Sequence, residues 1–204
     1  MHSRIALPTC LALIATRLAS ADCATDFAAD NAVKPEAGAF RVTSFVRTTT
    51  EMGGKQYPMG DGRTIVEVVP PASLYLRNEL PMDTSEVAIV DGKEGWRRED
   101  GEWSPLDPAQ VRSLATDPDL RRYFAATNLR DLACLGESAE EGRTVRTYRY
   151  TFGDTTLPIQ VTAHFDAKTG LPNSGATDNR IGKTQSHTVM TFEFDGSIAI
   201  ARPR

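Results

Sequence analysis

Two histidines, His164 and His187, and two cysteines, Cys23 and Cys134, are the residues best suited to chemistry beyond the N-terminal stretch Met1–Ala21. His164 lies in an alternating run, where Gln160, Thr162 and His164 share one face and Ile159, Val161, Ala163 and Phe165 the other. His187 stands likewise opposite the large apolar side chains of its run, so both rings are expected to face solvent. Asp166 and Glu193 are the nearest carboxylates in sequence, but the spacing matches no recognised metal-ligand motif. The chain has no G-x-S-x-G elbow and no P-loop or dinucleotide fingerprint. Gly60-Asp61-Gly62 lacks a third glycine and a strand-to-helix setting, and reads as a turn. A hydrolase built on either histidine is therefore the weakest reading. The expectation is a protein without catalysis, metal or cofactor.

The cysteines depend on what precedes them. Met1–Ala21 combines Arg4, an apolar run from Ile5 to Ala15 and the small-x-small site Ala19-Ser20-Ala21, the signature of an export signal cleaved after Ala21. Its removal takes Cys10 with it and leaves residues 22–204 as one periplasmic domain. An even pair of cysteines in an exported chain suggests a disulfide. Cys23–Cys134 would close a loop of about 110 residues and restrain the unfolded chain by ~4–5 kcal/mol. Two free thiols and a lipidated Cys23 are the alternatives. Lipoprotein signals place a small residue directly before the modified cysteine, and here that residue is Asp22.

The elements that would position these groups are mostly strands. Asp107-Pro108-Ala109-Gln110 offers a capping Asp, a Pro at the first helical position and a Gln to complete the capping box. Asp117-Pro118 repeats the start signal. The pattern predicts helices over Pro108–Thr116 and Pro118–Thr127, with this block running through Leu129–Cys134 to Gly136, and a short helix from Asp22 to Ala32. Roughly ten antiparallel strands surround them, read from alternation and turn signals: Phe40–Thr50, Arg63–Val69, Ser73–Asn78, Glu86–Val90, Gly95–Arg98, Glu102–Pro105, Arg143–Phe152, Leu157–Phe165, Lys183–Phe194 and Ser197–Ile200. Asp91-Gly92 and Asp100-Gly101 are hairpin turns, Gly136–Gly142 a polar connection, and Pro172–Gly182 a loop or weak strand. The fold class is α+β, a strongly curved antiparallel sheet with N-terminal and central helices over one face.

At 204 residues and a formal charge of −4, the chain has no basic stripe for nucleic acid. It also has no apolar run long enough to cross a membrane as a helix. The feature that could carry function is its apolar set: Leu74, Leu76, Ile89, Trp96, Trp103, Leu120, Phe124, Tyr148, Tyr150, Phe152, Val161, Phe165, Met190 and Phe192. These residues either fill a core or line a cavity for a hydrophobic molecule, and periodicity treats the two alike.

The D-G-x-x-x-W…G-x-W run at Asp91–Trp103, Y-x-Y-x-F at Tyr148–Phe152, D-x-K-T-G-L-P at Asp166–Pro172 and the closing aromatic strand Thr191–Ile200 resemble the LolA/LppX-like superfamily of periplasmic lipoprotein and lipid carriers. The nearest likeness is to an uncharacterised proteobacterial branch with cysteines just after cleavage and after the central helices. The resemblance implies a half-barrel sheet, helices as a lid, a lipid or acyl chain held between them, and no enzymatic activity. It also implies, as an alternative, a sensor or interaction module that binds another envelope protein. No cargo-handling residues of the characterised carriers match positions here.

Overall fold

The structure is a computed structural model that describes residues 22–81, 83–117, 122–140 and 142–203. The expected export signal Met1–Ala21, Leu120 and most of the first turn of the expected Pro118–Thr127 helix lie outside the described residues. Helix α1 covers residues 22–31, and a 3-10 turn follows at Pro35–Ala37. Six strands come next: β1 (Phe40–Met52), β2 (Lys55–Val69), β3 (Ser73–Leu80), β4 (Asp83–Val90), β5 (Glu94–Glu99) and β6 (Glu102–Pro105). Helix α2 (Pro108–Ala115) precedes β7 (Arg130–Glu140), β8 (Arg143–Phe152), β9 (Ile159–Asp166), β10 (Pro172–Ile181) and β11 (Thr184–Phe194).

All eleven strands form one open antiparallel sheet in the order β6-β5-β4-β3-β2-β1-β11-β10-β9-β8-β7. Each half is a meander, and the halves join where β1 pairs with β11 from Phe40↔Phe194 to Thr50↔Thr184. The α+β class and the antiparallel sheet are as expected, as are the two strand groups separated by a helical block. Asp91 and Asp100 take positive φ with their following glycines; Asp100-Gly101 makes a two-residue hairpin loop between Glu99 and Glu102, and Asp91-Gly92 is followed by Lys93 in a three-residue one between Val90 and Glu94.

Helix α2 starts as its sequence dictates. Asp107 Oδ1 accepts from the backbone of Ala109 (2.8 Å) and Gln110 (2.9 Å), while the Gln110 side chain accepts from Asp107 N. The second expected helix does not form over residues 122–127. There the side chain of Asn31 takes both backbone groups of Phe124, at 2.8 and 3.0 Å, and Tyr123 N donates to Asn31 O. Backbone groups engaged outward are unavailable for a helical ladder, so residues 122–129 form an irregular strap over the sheet.

Two strands escape the alternation rule, the expected turn Gly60-Asp61-Gly62 lies inside β2 and pairs with Thr48, Arg47 and Val46, and one expected strand is absent. Leu129–Cys134 and Gly136–Gly142, expected as helix and connection, largely form β7. Its pairing to β8 shifts register at Arg130/Ala133 and again at Cys134/Gly136, with Asp131 and Gly136 at φ 54 and 88. Bulges of this kind erase the period of two. Pro172–Gly182, expected as a loop or weak strand, forms β10, whose Gly175 lies beneath the Phe124 ring. Ser197–Ile200, expected as a strand, carries no ladder.

The helix-bearing face of the sheet holds two apolar clusters. In the larger, Phe27 of α1 and Tyr123 and Phe124 of the strap pack on Phe40, Val42, Tyr148, Tyr150, Val161, Ala163 and Phe165. In the smaller, Val111 of α2 packs on Leu74 and Ile89. Val66 and Val68 touch both. The opposite face carries cross-strand ion pairs, such as Arg41 with Glu67 at 2.6 Å and Glu193 at 2.9 Å.

Candidate functional site

Among the described residues the helical layer is fastened to the sheet at several points, and a sizeable groove runs along it. Cys23 and Cys134 form a disulfide with Cα atoms 5.8 Å apart, so the Cys23 sulfur cannot also carry a thioether-linked lipid. Seven residues on, the buried Asp30 carboxylate accepts from Tyr148 Oη and Arg146 Nη1, both at 2.8 Å. Arg146 also donates to the Ala167 carbonyl. Burial, then the hydrogen bond to Asp30, push the Tyr148 hydroxyl up to about 12. Burial works against the Arg146 charge, yet its bond to Tyr148 and the Asp30 charge hold its pKa above the usual value. Lys34 Nζ donates to the Gly170 carbonyl at 2.6 Å. Gly170 has φ 62, and a Cβ there would press on Lys34 and Asp30, so the D-x-K-T-G turn needs its glycine twice over.

Between α1 and the strap runs a groove of about 510 Å³. One wall is Ala24, Phe27, Ala28, Asn31 and Ala32; the other is Arg122, Ala126, Leu129 and Leu132. The alanines at 24 and 28 share a helix face four residues apart, and their short side chains keep that wall low. Phe27 is the floor of the groove and the roof of the core, its ring 5.2 Å from that of Tyr148 and 4.9 Å from that of Tyr150. The Asn31 amide is engaged by Phe124. The lining is thus apolar, with one cation, Arg122, along the strap.

Of the residues singled out in the sequence as a cavity lining, the described ones are not among those that line this groove. Phe124, Tyr148, Tyr150, Val161 and Phe165 are at most 3 % exposed and pack on one another, with Phe124 edge-on to Phe165 at 5.5 Å. Phe152, Met190 and Phe192 pack around them. Leu74 and Ile89 belong to the α2 cluster, and Leu76 shares their face through its pairing with Val66 and Val87. Trp96 and Trp103 stand on the other face of the sheet. Ile89 pairs with Gly95, and a Cβ on Gly95 would lie 2.8 Å from Val111, so position 95 is the one facing α2. Trp96 therefore points to the opposite face, where the Arg202 guanidinium stacks 5.1 Å from its ring. Trp103 follows it through the Arg98↔Trp103 pair. The signal that could have revealed the groove was the Ala24/Ala28 spacing.

Both histidines lie on the face away from the helices. His164 Nδ1 is 3.0 Å from Thr147 Oγ1 and 3.6 Å from Glu140, and His187 Nδ1 is 2.8 Å from Asp178. Among the described residues no group of three or more His, Cys, Asp or Glu could hold a metal. Among the same residues no helix is long and apolar enough to cross a membrane.

No family model and no curated protein matches the sequence. Solved structures do. The lipoprotein LppX of Mycobacterium tuberculosis is 13% identical over 88% of this chain and 97% of its own, with a TM-score of 0.46. An outer membrane lipoprotein-sorting protein domain from Vibrio parahaemolyticus is 10% identical over 87% of this chain and 93% of its own, at a TM-score of 0.36. MucB, solved in complex with MucA(peri), is 17% identical over 85% of this chain and 55% of its own, at 0.31; this chain spans about half of it.

Proposed function

We propose that this is an exported, non-enzymatic binding protein for a lipid or other lipophilic molecule, which it holds in the groove between α1 and the strap. One observation carries the reading: an apolar groove of about 510 Å³ on a molecule whose sheet-to-helix clusters are otherwise filled. That volume falls within the usual range of ligand pockets, roughly 300–1,000 Å³. An acyl chain seated there would gain ~0.8 kcal/mol per CH₂ removed from water. In this reading the open sheet is the wall of a half-barrel, α1 and the strap are its lid, and the ligand lies on the lid's seam. The disulfide suits an oxidising compartment, in line with removal of Met1–Ala21 on export to the periplasm.

The reading is tested by titrating the purified protein with a fluorescent fatty acid, after mass spectrometry of organic extracts to identify any retained lipid. Ala28→Trp would fill the groove from an exposed helix position without entering the core, and should abolish binding while leaving thermal stability intact. A variant that binds like wild type would sink the assignment. The alternative is an envelope protein-interaction module. It draws on the filled clusters and the open β7 edge, and a clean extract with no fatty-acid binding would favour it.

A further inference from the structure

Nine large apolar side chains stand exposed among the described residues, and five of them, Met52, Tyr57, Met59, Leu80 and Ile181, crowd one end of the sheet at 42–63 % exposure. They belong to three neighbouring hairpin ends, β1–β2, β3–β4 and β10–β11. The β10–β11 end meets the β1–β2 end, where Glu51 N donates to Lys183 O at 2.9 Å and Thr50 pairs with both Tyr57 and Thr184; the β3–β4 end lies further back along β2, with Leu80 and Pro81 over Gly62 and Gly60. A contiguous apolar patch of this kind marks an interaction surface.

The charges around it choose the partner. Glu51, Asp61 and Glu79 are already paired, with Arg180, Arg47 and Arg77 respectively. Lys55 and Lys183, at the turns, have no ion pair among the described residues, and Asp83 is the one acid at these three ends in the same position. Two lysines against one aspartate leave a net of plus one on the unpaired groups. Apolar side chains spread over adjoining hairpins suit a broad, deformable surface, which a narrow protein groove would not cover. Tyrosine beside flanking lysines is also the composition that settles at a membrane interface.

We propose that this end of the sheet docks the protein on an anionic lipid surface. The five apolar side chains enter the boundary between headgroups and acyl chains, and Lys55 and Lys183 meet lipid phosphates. The surface is separate from the α1–strap groove, so the two readings stand or fall independently.

The test is co-sedimentation of the protein with vesicles of equal parts phosphatidylcholine and phosphatidylglycerol, against phosphatidylcholine alone. Wild type should bind the mixed vesicles more tightly, and added salt should weaken that binding. Met59→Asp and Ile181→Asp should each lower the partition coefficient roughly tenfold or more. Leu135→Asp, an exposed apolar residue on edge strand β7, should leave it unchanged, and each variant's melting temperature verifies folding. Lack of binding by wild type, or tip variants that bind equally well, would overturn the proposal. Equal binding to neutral vesicles, or to mixed vesicles by the Lys55→Glu/Lys183→Glu double variant, would overturn the role of the lysines. Self-association abolished by Met59→Asp, without vesicle binding, would overturn it in favour of a second copy of the chain.

Discussion

Removing the Cys23–Cys134 disulfide should have two separable effects. The bond joins residues 111 apart, so it withdraws a large loop from the freedom of the unfolded chain. In the chain-entropy model this is worth ~4–5 kcal/mol. For a domain of this size each kcal/mol moves the melting temperature by roughly 2–4 °C, which predicts a loss of about 10–20 °C. The second effect is local. Asp30, Asn31 and Lys34 still hold the C-terminal end of α1 in place, but its first turn, which carries Ala24, loses its anchor and the groove loses part of one wall. The Cys23→Ser/Cys134→Ser double variant should therefore melt early and bind a fluorescent fatty acid more weakly at temperatures where it is still folded. Circular dichroism melting, with and without reductant for wild type, measures the first effect, and titration measures the second. A melting temperature within about 3 °C of the oxidised protein, less than 1–2 kcal/mol, would refute the loop-closure argument. Weakened melting with unchanged affinity would refute the claim that the bond shapes the groove.

Three further perturbations probe the strap and its supports. Asn31→Ala leaves the buried backbone N–H and C=O of Phe124 without their partners and should cost ~2–5 kcal/mol in denaturant unfolding, at 1–3 kcal/mol for each orphaned group. Gly175→Ala sets a methyl against the Phe124 ring and the Thr162 carbonyl. It should cost ~1–3 kcal/mol as overpacking, and a double-mutant cycle with Phe124→Leu should recover part of that loss. Tyr148 and Tyr75 both titrate near 12 in the folded protein, through burial and then hydrogen bonds to Asp30 and Glu86. Raised folded values stabilise fully below the unfolded tyrosine value near 10 and are lost as pH climbs through about 12. The melting temperature should therefore fall across that window, and Tyr148→Phe should flatten part of the fall.

The parts of the fold legible in the sequence are those where local chemistry and tertiary demand agree. Asp107 caps α2 because nothing else competes for the backbone of Ala109 and Gln110, and the Asp-Gly turns need only their own φ. The parts that were not legible are those where a distant residue decides. Asn31 lies 93 positions from Phe124, and its amide holds open a stretch whose own Asp-Pro signal and apolar spacing favour helix. In β10 the pressure for Gly175 comes from the Phe124 ring above it, so a strand that packs closely looks in sequence like a polar loop.

The site was illegible for a different reason. Alternation reports which face a strand residue occupies, and it did so correctly for Tyr148, Tyr150 and Phe165, but a face can be filled as readily as hollow. What hollows this molecule is the absence of bulk on the helical layer: alanine at 24, 28 and 32 where leucine would have closed the seam against Leu129 and Leu132. Small residues carry little weight in a search for hydrophobic pattern, because they satisfy helix propensity and contribute almost nothing to periodicity. Trp96 shows the converse. It is a large aromatic in a meander and one of the expected lining residues, yet the residue facing α2 is its neighbour Gly95, which admits Val111 by having no side chain. In this fold the groove proposed as the binding site is written in what the small residues leave out, and those gaps become visible only when both walls are in place.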